Sequence, residues 1–319
     1  MGVSQAAGRG AGSTIAAMSE TPAIEAVGLS KTYGNEVRAL VDLNLRVERG
    51  EVFGFLGPNG AGKSTTIRLL LGLIRPTAGR AALFGRDTQN DGVASRRDVG
   101  YLPGDLRLAD RLTGREQLDS LTRLRGGDVA LRDELCERLR VQLDRPIRQL
   151  SRGNRQKLGL VQAFMHRPGL VVLDEPTSGL DPLLQAEVRS LVRQTAADGH
   201  SVFISSHSLD EVQHVADRVG IIRQGRLIDV DSVESLRERS LRHVTATFAE
   251  PVAVEQFTTI GGVRLVRADG RVLTFSCPES ALDALVKQVA QHQLVDFVSQ
   301  PADLEEIFLE LYRQDDDGA

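Results

Sequence analysis

An α/β fold is what this sequence predicts: a parallel central sheet with an antiparallel β subdomain before it, a helical insertion within it and a small α+β unit after it. Three observations point there. Short apolar runs at Glu51–Leu56, Leu170–Leu173 and Ser201–Ser205 alternate with helical periodicity, the pattern of strands joined by crossover helices. With 319 residues the chain is long enough for about two domains. Finally, the periodicity turns helical between 105 and 168, then changes again after Asp231 to short alternating strands.

Taken in order, residues 1–20 read as a disordered lead-in, rich in Gly, Ala and Ser, with Met18 a candidate start. Ala23–Leu29 and Val37–Val47 alternate apolar with polar residues, as antiparallel strands do. Glu51–Leu56 is a strand leading into a glycine-rich turn, and Ser64–Ile74 a leucine-rich helix expected to stop at Arg75-Pro76. In the helical insertion Thr113 and Glu116 form a capping box ahead of Leu118, Leu121 and Leu124. Gly126-Gly127 breaks that helix, and Asp128–Leu143 begins another. Leu170–Leu173 is a buried strand, Pro182–Ala197 a helix and Ser201–Ser205 a further strand. These make a first domain of residues 21–230. In the accessory unit, residues 231–319, Val244–Phe248, Val272–Phe275 and Leu294–Val298 read as strands and Ala281–Ala290 as a helix. Asp303 with Glu306 caps a last helix bearing Leu304, Ile307, Phe308 and Leu311.

Composition narrows the classes. With 41% hydrophobic and 26% charged residues the chain is an ordinary globular one. A net charge of −4 gives no drive toward nucleic acid, and the arginines from Arg107 to Lys157 sit among acids at helical spacing, as on a solvated face. Cys136 and Cys277 have no CxxC partner, which disfavours a zinc site or disulfide framework and suits a reducing compartment; Cys136 falls among Leu131, Leu135 and Leu139 as a small buried hydrophobe. No apolar run approaches the roughly 18–20 residues of a membrane span.

The chemistry begins at Gly57-Pro58-Asn59-Gly60-Ala61-Gly62-Lys63-Ser64-Thr65, which matches G-x-x-x-x-G-K-[ST] between a predicted strand and a predicted helix. Glycines let the backbone curl so that N–H groups point at phosphate, and the helix N-terminus adds positive potential. Lys63 is placed to reach the β- and γ-phosphates and the Ser64 hydroxyl to ligate Mg²⁺. Leu170–Leu173 runs into Asp174-Glu175: a buried strand ending at the sheet edge puts Asp174 beside the metal, and Glu175 one residue on can polarise an attacking water. These two motifs allow any P-loop ATPase.

Leu150-Ser151-Arg152-Gly153-Asn154 resembles the L-S-G-G-Q signature of the ABC ATPases, with Arg152 and Asn154 departing from it. Further resemblances follow in family order: Ser178-Gly179-Leu180-Asp181 to the D-loop, His207 to the switch histidine that contacts the γ-phosphate, and Tyr33 to the aromatic that stacks on adenine. The resemblance covers residues 23 to 231. It implies an ABC-type P-loop fold, ATP and Mg²⁺ as ligands, and a nucleotide held between two copies of the cassette, Ser151 and Gly153 serving the opposite subunit. It also implies a separately encoded integral-membrane permease, no nucleic-acid partner, and a place in the cytoplasm on the inner face of the cell membrane.

Pro301–Leu309 resembles the tail of the drug- and antibiotic-export branch, which implies export of hydrophobic compounds. An importer ATPase, a soluble non-transport ABC protein and a non-hydrolysing regulator stay open as alternatives. Where the family's Q-loop glutamine binds the metal, this chain has Gly104, and two readings stay open. Either the metal keeps Ser64, phosphate oxygens and extra water, or, the expectation favoured here, the Asp105 carboxylate takes the vacant place in the metal shell. Gly104→Gln is expected to be tolerated, or to rescue in part the loss of Asp105.

Overall fold

The computed structural model describes residues 21–34, 36–125, 128–239 and 241–300. Strands β1 (Ile24–Tyr33), β2 (Val37–Val47), β4 (Ala78–Leu83) and β5 (Arg86–Asp87) form an antiparallel sheet in the order β2-β1-β4-β5. Strand β3 (Val52–Leu56) belongs to a second sheet, completed by β6 (Val99–Leu102), β7 (Leu170–Asp174), β8 (Ser201–Ser206), β9 (Arg218–Arg223) and β10 (Arg226–Ser232) in the order β10-β9-β3-β8-β7-β6. Within it β9, β3, β8, β7 and β6 are parallel, and β10 folds back antiparallel on β9.

Strands β3, β7 and β8 are buried along their whole length, so both faces carry apolar side chains and the alternation signal disappears. On one face Val52, Leu56, Leu173 and Ile204 pack with the helices α4 (Arg152–Phe164) and α5 (Pro182–Ala197). On the other, Phe53, Phe55, Val172 and Phe203 pack against the antiparallel sheet and α1 (Lys63–Leu70), with the Phe53 and Phe203 rings stacked 5.8 Å apart.

The capping box is present: Thr113 N donates to Glu116 Oε2 at 2.8 Å and Glu116 N to Thr113 Oγ1 at 3.2 Å, opening α2 (Gly114–Arg125). Two helices end sooner than expected. Helix α1 stops before Ile74 because Gly72, at φ 61°, turns left-handed; Leu73 N then donates to Arg68 O and Gly72 N to Leu69 O, closing the helix end. Helix α3 (Val129–Arg138), capped by Asp128, ends the same way at Arg140, φ 51°, rather than at Leu143. Pro182–Ala197 forms the helix expected there. Strands β4, β5, β9, β10 and β12 (Arg264–Asp269) went unrecognised, as did the short helices α6 (Leu209–Gln213), α7 (Val233–Arg239) and α8 (Glu255–Thr258).

The last unit is a sheet of order β12-β13-β11-β14, with β11 (Arg242–Phe248), β13 (Val272–Cys277) and β14 (Leu294–Gln300), backed by α8 and α9 (Glu279–Val289). Val244, Phe248, Phe257, Phe275 and Leu285 form its own core. The boundary placed at Asp231 is a correction. Strand β10 pairs with β9 through Ser232, and Val233 and Leu236 of α7 are buried in the core of the first unit, at 5% and 3% exposure. The break between cores therefore falls after α7. The last-helix residues Asp303–Leu311, the lead-in 1–20 and Gly126-Gly127 lie outside the described residues.

A chain cut after Arg239 keeps the first core whole, whereas one cut after Asp231 loses Val233 and Leu236. Leu236→Ala in the full chain is expected to cost about 2–5 kcal/mol, as for other buried leucines. Denaturant unfolding checks both: equal midpoints for the two truncations place the boundary back at Asp231.

Candidate nucleotide site

Three parallel strands deliver the site. The loops after β3, β7 and β8 leave the same edge of the sheet, the carboxyl end, where ligands of open α/β sheets bind. Register aligns them: Leu56 pairs with Ser206, and Asp174 with Ser205. This brings Lys63, Glu175 and His207 into contact, with Asp174 one residue earlier at the end of β7.

The loop Gly57–Gly62 curls over the start of α1, where Gly62 at φ 110° holds a conformation that side-chain-bearing residues rarely adopt. Pro58, Asn59, Gly60, Gly62, Lys63, Ser64, Thr65 and Glu175 line a cavity of about 180 Å³. Ala61 is buried beneath it, its carbonyl accepting from Gly225 N at 2.9 Å. Lys63 is 5% exposed, and its ammonium donates to Gly57 O at 2.6 Å and Pro58 O at 3.2 Å and pairs with Glu175 Oε1 at 3.2 Å. All three donors are engaged.

Glu175 sits at φ 50°, a left-handed conformation costing a residue of this kind about 1–3 kcal/mol. Two contacts hold it: its N–H lies 3.2 Å from both Ser205 O and Ser205 Oγ. The turn aims the carboxylate into the loop cavity, with Oε1 on Lys63 and Oε2 3.6 Å from His207 Nδ1. His207 is half exposed, free to meet a ligand from the solvent side.

Asp174 is 2% exposed, and Ser205 Oγ donates to its Oδ1 at 2.6 Å. Burial, and then the Asp174 charge, push the Tyr101 phenol up to about 12, keeping it neutral beside the carboxylate. Among the described residues no group of three His, Cys, Asp or Glu side chains could cage a metal. One buried carboxylate and the Ser64 hydroxyl are hard oxygen donors, the set that suits Mg²⁺ when substrate phosphates and water complete its shell.

Other assigned residues take different places. Asp105 is not drawn into this group: its side chain is 67% exposed, with Oδ2 accepting from Arg107 Nε and Nη2 at 3.2 and 3.1 Å. In this structure Asp105 pairs with Arg107, an exposed ion pair, and does not occupy the place beside Asp174 that the sequence reading gave it. A Cβ at Gly104 would lie 3.2 Å from Asp174 Oδ2, so Gly104→Gln would have to press the carboxylate aside by a few tenths of an ångström. Tyr33 ends β1, half exposed, with Lys31 Nζ 5.1 Å from its ring centroid. Ser151 caps α4, accepting from Asn154 N at 3.3 Å, with Gly153 in the first turn. Asp181 caps α5, accepting from Leu184 N at 3.0 Å.

Sequence reasoning missed the supports. Ser205 holds the Asp174 carboxylate and the backbone N–H of Glu175. Gln156 donates to Pro176 O at 3.1 Å, tying α4 to the turn after Glu175, and Glu211 accepts from Thr177 Oγ1 at 2.7 Å and from Ser206. Two serines at the end of a buried strand were the available signal for Ser205 and Ser206.

A glycine loop between a parallel strand and a helix, with a buried lysine and an acidic strand end beside it, defines a P-loop nucleotide-binding protein. The comparisons make this specific. The family model described as ABC transporter matches residues 40–178. The bacitracin transport ATP-binding protein BcrA of Bacillus licheniformis is 34% identical over 79% of this chain and 85% of its own length. The daunorubicin resistance ATP-binding protein DrrA3 of Streptomyces coeruleorubidus is 34% identical over 92% of this chain and 96% of its own. A solved ATP-binding subunit of an ABC transporter shares the fold with TM-score 0.62 at 30% identity, over 67% of this chain and 91% of that one. The chain belongs to the ATP-binding proteins of ABC transporters, a family of ATPases.

Lys63→Ala removes a buried charge-assisted contact to phosphate, and ATP affinity is expected to fall at least about tenfold. Unchanged affinity in a fluorescence titration contradicts the assignment. Asp105→Ala is expected to leave the Mg²⁺ titration of nucleotide binding within about twofold, because an exposed ion pair contributes little; a larger shift returns Asp105 to the metal shell.

Proposed function

We propose that this chain powers an exporter of antibiotics or other hydrophobic compounds, binding and hydrolysing ATP as a dimer against a separate membrane permease. The supporting observation is the likeness to the daunorubicin resistance protein, which runs through the C-terminal unit as well as the cassette. Among the described residues no helix is long and apolar enough to cross a membrane, so the path for cargo falls to the permease. The cassette then works at the inner face of the membrane.

In this reading the loop amides and Lys63 hold the β- and γ-phosphates, and Tyr33 offers its ring to adenine. Ser64 and Asp174 hold Mg²⁺, which when bound neutralises charge on the phosphate oxygens. ATP displaces Glu175 from Lys63, and the freed carboxylate polarises the attacking water, with His207 beside it to meet the γ-phosphate. Ser151 and Gly153, the cap and first turn of α4, do not line the cavity at Lys63. A second copy supplies them, so ATP joins two subunits through contacts that only the closed state makes.

Glu175→Gln is expected to bind ATP, to lose about 10²–10⁴-fold in hydrolysis, and to accumulate as an ATP-bound dimer. Wild-type turnover, or a monomer by light scattering at saturating ATP, contradicts the mechanism. Co-purification from membranes in mild detergent tests for the permease.

A further inference from the structure

We propose that Glu211 is a positioning residue for ATP hydrolysis: its carboxylate joins the turn after Glu175 to the turn bearing His207 and fixes those two side chains against each other. The inference rests on the mechanism above, in which Glu175 polarises the water and His207 meets the γ-phosphate. It assigns a role to a residue that does not line the cavity at Lys63.

Glu211 lies in α6, a short helix anchored in the first core by Leu209 and Val212, which are 3% and 0% exposed. Its side chain is half buried, and among the described residues no lysine or arginine pairs with it. Two hydroxyls take the place of a cation. Oε1 accepts from Thr177 Oγ1 at 2.7 Å, and Oε2 accepts from Ser206 Oγ. Both donors are buried. An ionised carboxylate offers two acceptor oxygens, one for each hydroxyl, whereas an amide offers one and turns a donor toward the other.

Each hydroxyl sits next to a residue of the mechanism. Thr177 follows Glu175 by two positions, across Pro176. Glu175 holds φ 50°, and such a backbone persists only where its surroundings over-determine it. Ser205 holds the near side through Glu175 N; Gln156 on Pro176 and Glu211 on Thr177 hold the far side. Ser206 directly precedes His207, and its Oγ also accepts from Ser208 N at 3.0 Å, closing the turn around the histidine. Among the described residues no hydrogen bond holds the His207 ring itself, which lies 3.6 Å from Glu175 Oε2. Its place is therefore set by the backbone that Glu211 pins. Pairing of β7 with β8 ends at Asp174 and Ser205. Beyond that point the Glu211 carboxylate carries the connection on, with one oxygen for each loop.

The test uses the full chain and measures ATP affinity, turnover and histidine NMR side by side. Glu211→Ala is expected to lower kcat at least about tenfold, since a misplacement of about 1 Å can cost about 10²-fold. ATP Kd is expected to stay within about twofold, because a loss confined to kcat marks an interaction that matters in the transition state. Glu211→Gln keeps one acceptor and recovers part of the turnover. In nucleotide-free protein the His207 ring resonance, assigned by its loss in His207→Gln, shifts or broadens in Glu211→Ala, while that of His292 in the second unit stays in place. Adding Glu211→Ala to the Thr177→Val/Ser206→Ala pair costs no more than about twofold further, because members of one bridge are not additive. Wild-type turnover in folded Glu211→Ala overturns the proposal, as does an equal loss of ATP affinity or an unmoved His207 resonance. Should Glu211→Ala fail to fold, Glu211→Gln and the Thr177→Val/Ser206→Ala pair are judged by the same criteria. Wild-type turnover in Glu175→Gln means that the mechanism itself fails and this inference with it. An inactive Glu175→Gln beside a fully active Glu211→Ala sinks this inference alone.

Discussion

The parallel register of β3, β8 and β7 is the constraint on which the rest depends. Leu56 lies beside Ser206 and Ser205 beside Asp174, so the loops bearing lysine, carboxylates and histidine emerge at one level of the sheet. A slip of one residue would invert every side chain of these strands. Ser205 would lose Asp174, and Phe203 would leave the face where it stacks on Phe53. Apolar packing on both faces opposes such a slip, so the core and the site are specified by the same pairing.

Charge is arranged on this frame. Lys63 is buried with its ammonium compensated by two carbonyls and Glu175, because a buried cation left unpaired costs several kcal/mol. The left-handed backbone at Glu175 is what aims its carboxylate at that ammonium. One side chain therefore serves as counter-ion of the free loop and, in the proposed mechanism, as base once phosphate takes its place. Ser205 supports both tasks, through the Glu175 backbone and through the Asp174 carboxylate.

The second unit has a core of its own, and α7 belongs to the cassette before it. Composition changes near Asp231 because β10 forms the outer margin of the first unit's parallel sheet, where most of its residues are half buried and Arg226, Asp229 and Asp231 interrupt the apolar pattern. A change in surface character was legible there; the limit of the core was not.

Much was set by local sequence alone. The phosphate loop, the acidic end of β7, the cap at Thr113 and the helix Pro182–Ala197 follow from residue order, because caps, turns and short apolar strands depend on neighbours a few positions apart. The family likeness was legible for the same reason: its motifs are short and fall in a fixed order. Tertiary structure decided what depends on distant partners. Ser205 on Asp174 and Gln156 on Pro176 join segments 31 and 20 residues apart. Asp105 offered a carboxylate of the right chemistry at the right place in the chain. In the fold it turns to Arg107, because a side chain's partner is the nearest opposite charge in space, and sequence spacing across a loop does not specify where that charge lies.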